Sequence, residues 1–560
     1  MFWGGLLGGS LIALGYWRQD WLRAVRALVA RLIDGEAADA DAEARSAEDL
    51  LPLIRPGEHC PTTQRQNDAN NRSFIESIQP SAVCELVSRC NGGNKTCEVM
   101  SQKNGSYNVC FFVRVEELDE TQVVRIPIVP ALRHIWQKVV SEATTTRYIR
   151  EKTTIPVPDI LTYGTDGNIV PGANTVFMIM KFVRGRPLDT KTYLKATATQ
   201  RHQLHTDLLD ALCQMRQLQF SSGGSLMPVD LCPASGREDV NNNSGTVVVG
   251  PFLSTGASQF EIDNGELIPP QTFSSAAEFV QYHLRLLTGM YSRPAGFWSL
   301  EAIKKDWFHM HHVLKEAPVH LGLDSSSSPA DTDKDLFVLA HPDLRIGNIM
   351  IDDDFSILGV LDWEYASTLP VQLNAPPSWL TGLDPAIQSL TGWMQGVPRA
   401  HEILGEFRAV VALRRETCPV AKTLWEEWHL EDALQTSPVN LALVQILFHP
   451  TSLSEVYTTH LSTAFHGPSG VSDQNILDYF DRRENAVLAK QVEVLADWDR
   501  RYTIYCQAKG FLATEEEIKQ RDEKIERDWS IIRKMREERR QQEARFEQDM
   551  AQLRQDRGDR

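Results

Sequence analysis

The sequence predicts an α+β fold in which a β-rich first part is followed by a longer, mainly helical part. Short segments rich in β-branched and aromatic residues indicate strands at residues 107–115, 121–126 and 175–183. Helical patterns occur at residues 131–150, 198–220, 274–290, 300–315, 402–417, 423–435 and 474–510. With 560 residues, of which 42% are hydrophobic, the chain can form two or three compact units.

The charge balance and the cysteines narrow the class of protein. A net charge of -17 argues against a nucleic-acid-binding protein, which needs a basic face, and is compatible with a small cationic or neutral substrate. The nine cysteines contain no C-x-x-C pair and no zinc-ligand spacing. We therefore expect reduced thiols in an intracellular protein.

The segment at 341–362 predicts a loop, a strand, a turn and a second strand. Two short apolar runs, Ile349–Ile351 and Ile357–Leu361, would pair across a turn at Asp352–Asp354, because Asp tolerates tight backbone geometry. His341, Asp343, Asn348 and Asp362 stand in a fixed order around these two apolar runs. Such a hairpin would bring the last of these beside Asn348.

This polar set suits phosphoryl transfer. Asp343 would orient an attacking hydroxyl and accept its proton, while Asn348 and Asp362 would hold Mg²⁺ against nucleotide phosphates. Asp343 and Asn348 have the separation found in the catalytic loop H-R-D-x-x-x-x-N. An ordinary hairpin with a solvated acidic turn would explain Asp352–Asp354, but not the polar residues around it.

The segment resembles the catalytic segment of the aminoglycoside phosphotransferase and choline kinase-like family. In that family the pattern H-x-D-x-x-x-x-N-x-x-x-D is followed by a strand ending I-D-W-E; this chain keeps Trp363 and Glu364 and has Pro342 where bacterial members often have Gly. Ser-Thr-Leu-Pro after Tyr365 and Ala-Pro-Pro at 375–377 are similar to the fungal branch. The resemblance implies a two-lobed protein-kinase-like fold, with a small N-lobe containing an antiparallel sheet at 73–184 and a mainly helical C-lobe at 185–510.

The resemblance continues upstream and implies a nucleotide-binding lobe. The turn at 104–108 resembles the family's G-x-x-N turn, so that Gly105, Ser106 and Asn108 would contact ATP. Arg125, in Val-Val-Arg-Ile-Pro, stands where kinases have a strand Lys and would brace the phosphates, although Arg is not equivalent to Lys. Glu142, on the following helix, would pair with Arg125. Each assignment has an alternative without a role in nucleotide binding: the turn at 104–108 would be an ordinary hairpin turn, Arg125 a solvated residue on an edge strand, and Glu142 a surface residue.

Two further roles are implied by the same resemblance. Residues 178–188 are similar to the family's hinge, so that backbone groups near Met180 and Phe182 would bind adenine. In the catalytic loop, His341 would fix the backbone by hydrogen bonding. Glu364 would either support the metal-binding residues from behind or face the acceptor.

The segments outside the two lobes have distinct compositions. Residues 1–33 combine an apolar, Gly-rich stretch with a basic amphipathic helix, which would contact a membrane, act as a mitochondrial presequence or dock on the protein itself. Residues 34–72 predict a flexible linker and 221–258 a long loop. Residues 511–560 predict a charged helical tail, more typical of a single exposed helix than of a stable coiled coil. A cytoplasmic or mitochondrial location follows, and the oligomeric state stays open.

Two functional hypotheses follow from the sequence. The first is an ATP- and Mg²⁺-dependent phosphotransferase that moves the γ-phosphate to a hydroxyl of a small metabolite or aminoglycoside-like acceptor. The second is a non-catalytic kinase-like scaffold or regulatory protein, favoured by Arg125 and the long tails and opposed by the complete set Asp343, Asn348 and Asp362. The helical segments that would contact the acceptor do not identify it.

Overall fold

The computed structural model describes residues 54–55, 58–231, 247–323, 336–384, 387–388, 397–431, 438–521, 523 and 527. Two compact units are present, one containing residues 59–500 and the other containing the described residues up to Glu58 and from Arg501 onward. The first unit has a small β-rich lobe with its own apolar core and a larger helical lobe with a second core. The α+β class predicted from the sequence is therefore confirmed.

A five-stranded antiparallel sheet forms the small lobe, with strand order β1-β2-β3-β5-β4. The strands are β1 Cys97–Asn104, β2 Asn108–Val115, β3 Glu120–Pro127, β4 Ile160–Val170 and β5 Ala173–Lys181. Three helices accompany them: α1 Gln64–Ser77, α2 Pro80–Cys90 and α3 Ile135–Lys152. Val109, Phe111 and Val113 alternate along β2 and are buried in this lobe's core, as expected for a strand with one covered face.

The predicted strands at 107–115, 121–126 and 175–183 are confirmed as β2, β3 and β5. β1 and β4 were not predicted, and both lie at an edge of the sheet. Residues 101–104 at the end of β1 are all exposed, and β4 contains Gly164, Asp166 and Gly167. Neither strand needs the continuous or alternating apolar pattern from which strands are recognised in a sequence.

The helical lobe surrounds two small three-stranded sheets. Its helices are α4 Thr190–Lys195, α5 Ala198–Gln217, α6 Thr255–Asn264, α7 Ala276–Tyr291, α8 Leu300–His320, α9 Ser378–Thr381, α10 Ala400–Arg414, α11 Pro419–Glu427, α12 Val439–Phe448, α13 Leu453–Val456, α14 Ser462–His466, α15 Asp473–Asp481 and α16 Ala486–Ala508, whose residues from Arg501 onward belong to the second unit. Its strands are β6 Arg186–Pro187, β7 Gln219–Phe220, β8 Ser225–Pro228, β9 Val247–Gly250, β10 Phe337–Ala340, β11 Ile349–Ile351, β12 Ile357–Val360 and β13 Ser367–Pro370. β13-β10-β7 and β12-β11-β6 form the two small sheets, and together they carry the segment from 337 to 370.

The linker predicted at 34–72 is wrong at its C-terminal end, because residues 64–72 belong to α1. Thr63 and Gln66 begin this helix with reciprocal hydrogen bonds: Gln66 N donates to Thr63 Oγ1 at 3.3 Å, and Thr63 N donates to Gln66 Oε1 at 3.0 Å. α1 has no fully buried residue, so its sequence lacks the apolar stripe that would have indicated a helix. Residues 34–53 lie outside the described residues.

Two other boundaries differ from the sequence predictions. The long loop expected at 221–258 contains β8 and β9, which pair with each other and flank residues 232–246, a stretch outside the described residues. The helix expected at 474–510 is divided into α15 and α16. Asn485, in the connection, donates its side-chain amide to the carbonyl of Tyr479 at 2.7 Å and so caps the end of α15.

The second unit is described by itself. Arg501, whose side chain is 8% exposed, donates two parallel hydrogen bonds of 2.6 Å to the carboxylate of Glu58. Residues 515–521 of the predicted charged tail are helical, and Thr514 Oγ1 accepts from Glu517 N at 3.2 Å at their start. Residues 1–33 lie outside the described residues, and no described helix has the length and apolar character that a membrane span requires.

Gly185 connects the sheet lobe to β6 and has a backbone that other residues adopt only with strain. Its φ is +111°, and a Cβ atom there would lie 2.8 Å from both Ile351 O and Leu358 Cδ1. We expect Gly185→Ala to lower the free energy of unfolding by about 1–3 kcal/mol, measured by urea denaturation of the full-length protein. Gly172→Ala is the matched control, because Gly172 has φ +79° with no atom within 4 Å and so carries only the cost of its backbone conformation. Equal losses in the two variants would contradict the close packing at Gly185.

Candidate functional site

The predicted hairpin at 349–360 is present and brings its two ends together. Ile349 pairs with Val360 in an antiparallel register, and Leu361 N donates to Asn348 O at 2.8 Å. The turn is closed by Asp352, whose Oδ1 accepts from Asp354 N at 3.0 Å and from Ser356 N at 2.9 Å. The acidic turn therefore has a local structural role, and the polar residues at the opposite end of the hairpin form the candidate site.

His341 fixes the start of the catalytic loop to the end of the second strand. Its Nε2 donates to Leu361 O at 3.0 Å, and its ring centroid lies 4.6 Å from that of Trp363. Burial lowers the pKa of His341, which favours the neutral ring. The loop-fixing hydrogen bond expected for His341 is thus present in the structure.

A hydrogen bond connects the side chain of Asn348 to the backbone of Asp343. Asn348 Nδ2 donates to the carbonyl oxygen of Asp343 at 2.9 Å, while the Asp343 side chain remains 41% exposed. Partial desolvation raises the pKa of Asp343 to about 6, and the neighbouring Arg345 opposes this rise. A carboxylate in this position is open to an incoming molecule and is more basic than an ordinary Asp.

Asp362 occupies an unusual backbone conformation at the end of the hairpin. Its φ is +67°, in the left-handed region that Asp tolerates better than most residues but still at some cost. The Asp362 carboxylate is hydrogen-bonded to Arg125. Burial alone would raise the pKa of Asp362, but Arg125 and, less strongly, Lys138 and Arg345 hold it below its ordinary value. Asp362 is therefore a carboxylate kept ionised by surrounding cations.

Arg125 lies in the interior of the sheet lobe and pairs with Glu142. β3 has β2 on one side and β5 on the other, and Arg125 is 8% exposed, so the solvated edge-strand alternative is wrong. Its Nη1 is hydrogen-bonded to Glu142 on α3, as the sequence predicted. Burial raises the pKa of Glu142, with Arg125 opposing this rise. The pair joins the sheet to the helix directly behind Asp362.

Glu364 and Lys138 complete this cluster, and Lys138 was not singled out from the sequence. Glu364 Oε2 accepts from Arg125 Nη2 at 2.8 Å and from Asn108 Nδ2 at 2.8 Å, and it forms an ion pair with Lys138. Glu364 is 4% exposed, so its carboxylate is enclosed behind the site, which favours the first of its two predicted roles. The available signal for Lys138 was its position four residues before Glu142, on the same face of the helix.

The turn at 104–108 is a hairpin between β1 and β2. Gly105 N donates to Asn108 O at 2.8 Å, and the main chain at Gly105 is exposed, with Ser106 half-buried. Asn108 differs, because it is 7% exposed and both ends of its side-chain amide are used by Glu364 and Lys138. Of the three residues predicted to contact the nucleotide, Asn108 therefore anchors the turn, and the two others remain accessible.

The residues predicted to contact adenine lie at the end of β5. Met180 pairs with Val123 and Ile160 on the neighbouring strands. The N–H groups of Lys181 and Phe182 donate to Asp159 O at 2.9 Å and to Thr121 O at 3.2 Å. Phe182 is 41% exposed. The adenine contact near Met180 and Phe182 stays a prediction.

The oxygen atoms at the mouth of the hairpin fit a magnesium ion. Asn348 Oδ1 and Asp362 Oδ2 accept no hydrogen bond from the residues that the structure describes. Within these same residues there is no group of three or more His, Cys, Asp or Glu side chains suited to a metal. Mg²⁺ is typically held by only one or two protein oxygens together with water and substrate phosphates, so the small donor set is appropriate.

A comparison with protein families agrees with this geometry. Residues 137–372 match the model of the Phosphotransferase enzyme family (APH). These residues are therefore similar to a phosphotransferase-family domain. The resemblance inferred from the catalytic segment is thereby confirmed, while the fungal branch stays a prediction. The phosphotransferase match contains α3 from residue 137 onward and the whole catalytic segment, whereas Arg125 and the turn at 104–108 precede it.

Solved structures of phosphotransferases also align with the chain at low similarity. The gentamicin complex of APH(2″)-IIa is 14% identical, with coverage of 75% of this chain and 98% of the other and a TM-score of 0.35. The GDP complex of aminoglycoside 2′-phosphotransferase-IIIa is 11% identical; the alignment covers 75% of this chain and 98% of the other, with a TM-score of 0.37. Macrolide 2′-phosphotransferase MphH from Brachybacterium faecium is 15% identical; the alignment covers 62% of this chain and 97% of the other, with a TM-score of 0.28. TM-scores this low do not establish a shared fold. No curated protein gave a match.

Proposed function

We propose that this protein is an ATP- and Mg²⁺-dependent phosphotransferase that moves the γ-phosphate to a hydroxyl group of a small molecule. The observation that carries the proposal is the convergence of Asp343, Asn348 and Asp362 at one end of a hairpin inside a phosphotransferase-family domain. Arg125 and Glu142 lie directly behind this point. Both the proton acceptor and the oxygen ligands that phosphoryl transfer needs are therefore close together.

Asp343 is the proton acceptor in this proposal. Its carboxylate is accessible, and its raised pKa makes it a better base than an ordinary Asp while it stays largely ionised at neutral pH. The hydroxyl of the acceptor would donate to this carboxylate and so be oriented toward the phosphate. The hydrogen bond that the Asn348 side-chain amide donates to the Asp343 carbonyl oxygen keeps the base in a fixed place relative to the metal-binding residues.

The cations of the site would hold the phosphates. Arg345 Nε lies 3.6 Å from Asp343 Oδ2 and its Nη2 lies 3.8 Å from Asp362 Oδ2, so its guanidinium stands between the two carboxylates. Arg125 reaches Asp362 from the opposite, buried side. Asn348 and Asp362 would hold Mg²⁺, which when bound neutralises the charge that develops on the transferred group. Gly105 and Ser106 offer accessible main chain for the nucleotide phosphates.

The function is tested by measuring Mg²⁺-dependent ADP formation by the purified full-length protein with a panel of hydroxylated acceptors. The panel should include aminoglycosides, choline-like amino alcohols and neutral polyols. We expect at least one acceptor to increase ADP formation and to gain the mass of one phosphate group. Absence of ADP formation with every acceptor of the panel would overturn the proposal.

The rate should depend on pH through Asp343. Because the base must be ionised and its pKa is raised to about 6, activity is expected to rise with pH and to level off near neutrality. Bound Mg²⁺ favours the carboxylate form, so the inflection in the presence of Mg²⁺ and ATP should lie at or below about 6. The measurement is kcat/KM for the acceptor from pH 4.5 to 8, with thermal unfolding at each pH as the control. A rate that falls between pH 5 and 7 in folded protein would contradict this role.

A second candidate is a nucleotide-binding scaffold without turnover. It is favoured by the direct contact of Arg125 with Asp362, since Arg at this place has a different geometry from the Lys of kinases. Tight Mg²⁺-dependent ATP binding without ADP formation for any acceptor would support it.

Association of residues 1–33 with a membrane or mitochondrion also remains a proposal. Imaging of a fusion of residues 1–40 would test it, and a diffuse cytosolic signal would contradict it.

A further inference from the structure

Lys138 is almost completely buried although its side chain is charged. It is 1% exposed and lies one helical turn before Glu142 on α3. A lysine is rarely buried to this extent unless its ammonium is paired, because desolvation of the charge is costly. Here the ammonium forms an ion pair with Glu364 and donates to Asn108 Oδ1 at 3.4 Å.

Glu364 Oε2 is the point at which three structural elements meet. Arg125 of β3, Lys138 of α3 and Asn108 at the start of β2 all place a donor on this one oxygen. The Tyr365 ring covers the ammonium, with Lys138 Nζ 5.8 Å from the ring centroid. The position of Lys138 therefore links the turn at 104–108 to the segment that carries Asp362.

The charges of this cluster explain why a second cation is needed. Arg125 alone would face three carboxylates, those of Glu142, Asp362 and Glu364. Electrostatic attraction is strong at short range where water is excluded, so an uncompensated Glu364 would draw the guanidinium deeper and away from Asp362. With Lys138 present, Glu364 has its own counter-ion. The cluster then has two cations and three carboxylates, and the most exposed of these carboxylates is that of Asp362, at 18%.

We propose that Lys138 is a positioning residue of the phosphotransferase site, which neutralises Glu364 so that Arg125 stays directed toward Asp362 and the phosphates of a nucleoside triphosphate. Through Asn108 it also anchors the turn whose main chain would contact those phosphates. The inference rests on the proposed function and adds a residue that acts through Arg125 and does not touch the substrate itself.

The first test is Lys138→Met, with Mg²⁺-ATP binding measured by calorimetry on the full-length protein. We expect affinity to fall roughly 10- to 100-fold, as is usual when a residue that orients a metal-binding side chain is lost. KM for ATP should rise while KM for the acceptor stays unchanged. The matched control is Lys152→Met near the end of the same helix, where the Lys152 side chain is 28% exposed and, among the described residues, forms an ion pair only with the adjacent Glu151 at 3.2 Å. This control should bind ATP like the wild type.

The second test removes both charges of the pair. In Lys138→Met the Glu364 charge is left buried and unpaired, so part of any loss could come from unfolding. The double variant Lys138→Met/Glu364→Gln removes that unpaired charge and should bind ATP roughly threefold or more tighter than Lys138→Met, although it stays weaker than the wild type because the hydrogen bond from Lys138 to Asn108 is lost. A double-mutant cycle with Glu364→Gln measures this coupling. Thermal unfolding of every variant separates the effect on stability from the effect on binding. If Lys138→Met does not fold, the double variant alone tests the inference.

The outcomes separate this inference from the proposed function. A wild-type protein that binds no Mg²⁺-ATP overturns the proposed function and the role of Lys138 with it. A wild-type protein that binds, together with a folded Lys138→Met of equal affinity, overturns the inference alone. A folded double variant whose affinity for Mg²⁺-ATP does not exceed that of Lys138→Met also overturns the inference. If Lys138→Met does not fold, a folded double variant that binds Mg²⁺-ATP no more than roughly 100-fold more weakly than the wild type supports the inference, and one that binds no Mg²⁺-ATP overturns it.

Discussion

Asp343→Asn is expected to lower turnover by roughly 10²- to 10⁴-fold, the range usually lost when a positioned general base is removed. Asn keeps the size of the side chain but cannot accept the hydroxyl proton. Because Asp343 has its side chain 41% exposed and contacts Asn348 only through its backbone carbonyl, nucleotide binding and folding should be largely retained. The measurement pairs steady-state ADP formation with Mg²⁺-ATP affinity of the same preparation.

The matched control for Asp343→Asn is Asp353→Asn in the turn of the same hairpin. Asp353 has a fully exposed side chain, and its carboxylate lies 3.8 Å from Arg186, away from the candidate site. The control should retain wild-type turnover. If Asp343→Asn keeps more than a tenth of the wild-type rate, another group accepts the proton and the proposed assignment is wrong.

Arg125→Met is expected to affect stability and nucleotide binding together. The substitution removes the cation shared by Glu142, Asp362 and Glu364 and leaves these carboxylates with Lys138 as the only buried cation in contact with any of them among the described residues. Removing one partner of a buried ion pair typically costs about 3–5 kcal/mol. We expect a loss of this size in the free energy of unfolding, measured by urea denaturation, and no detectable Mg²⁺-ATP affinity.

The control for Arg125→Met is Arg114→Met, on the neighbouring strand β2. Arg114 pairs with Asp119 at 3.1 Å, and the two side chains are 51% and 88% exposed, so this substitution should change stability by less than about 1 kcal/mol. Arg125→Lys keeps the charge without the two-pronged geometry and should lie between the wild type and Arg125→Met. Equal stability of the Arg125→Met and Arg114→Met variants would show that the buried cluster contributes nothing to folding.

The catalytic hairpin could be predicted from the sequence because all of its determinants are local. Two apolar runs, an acidic turn and a spacing of five residues between Asp343 and Asn348 are visible without any tertiary contact. The pairing of Arg125 with Glu142 required the family resemblance, since the two residues are on different elements. Edge strand β1 and helix α1 escaped prediction because their exposed surfaces carry no apolar pattern.

The sequence by itself determined the α+β class, the hairpin and the order of the polar residues that mark a phosphotransferase. Only the tertiary structure decided that Glu364 faces inward, that Asn108 anchors its turn and that Lys138 belongs to the site. The physical reason is that a buried charge must find its counter-charge wherever the folded chain places one, here across 226 positions between Lys138 and Glu364. Patterns in a sequence record which side chains are apolar and how they repeat, but they do not record which charged groups share one enclosed space.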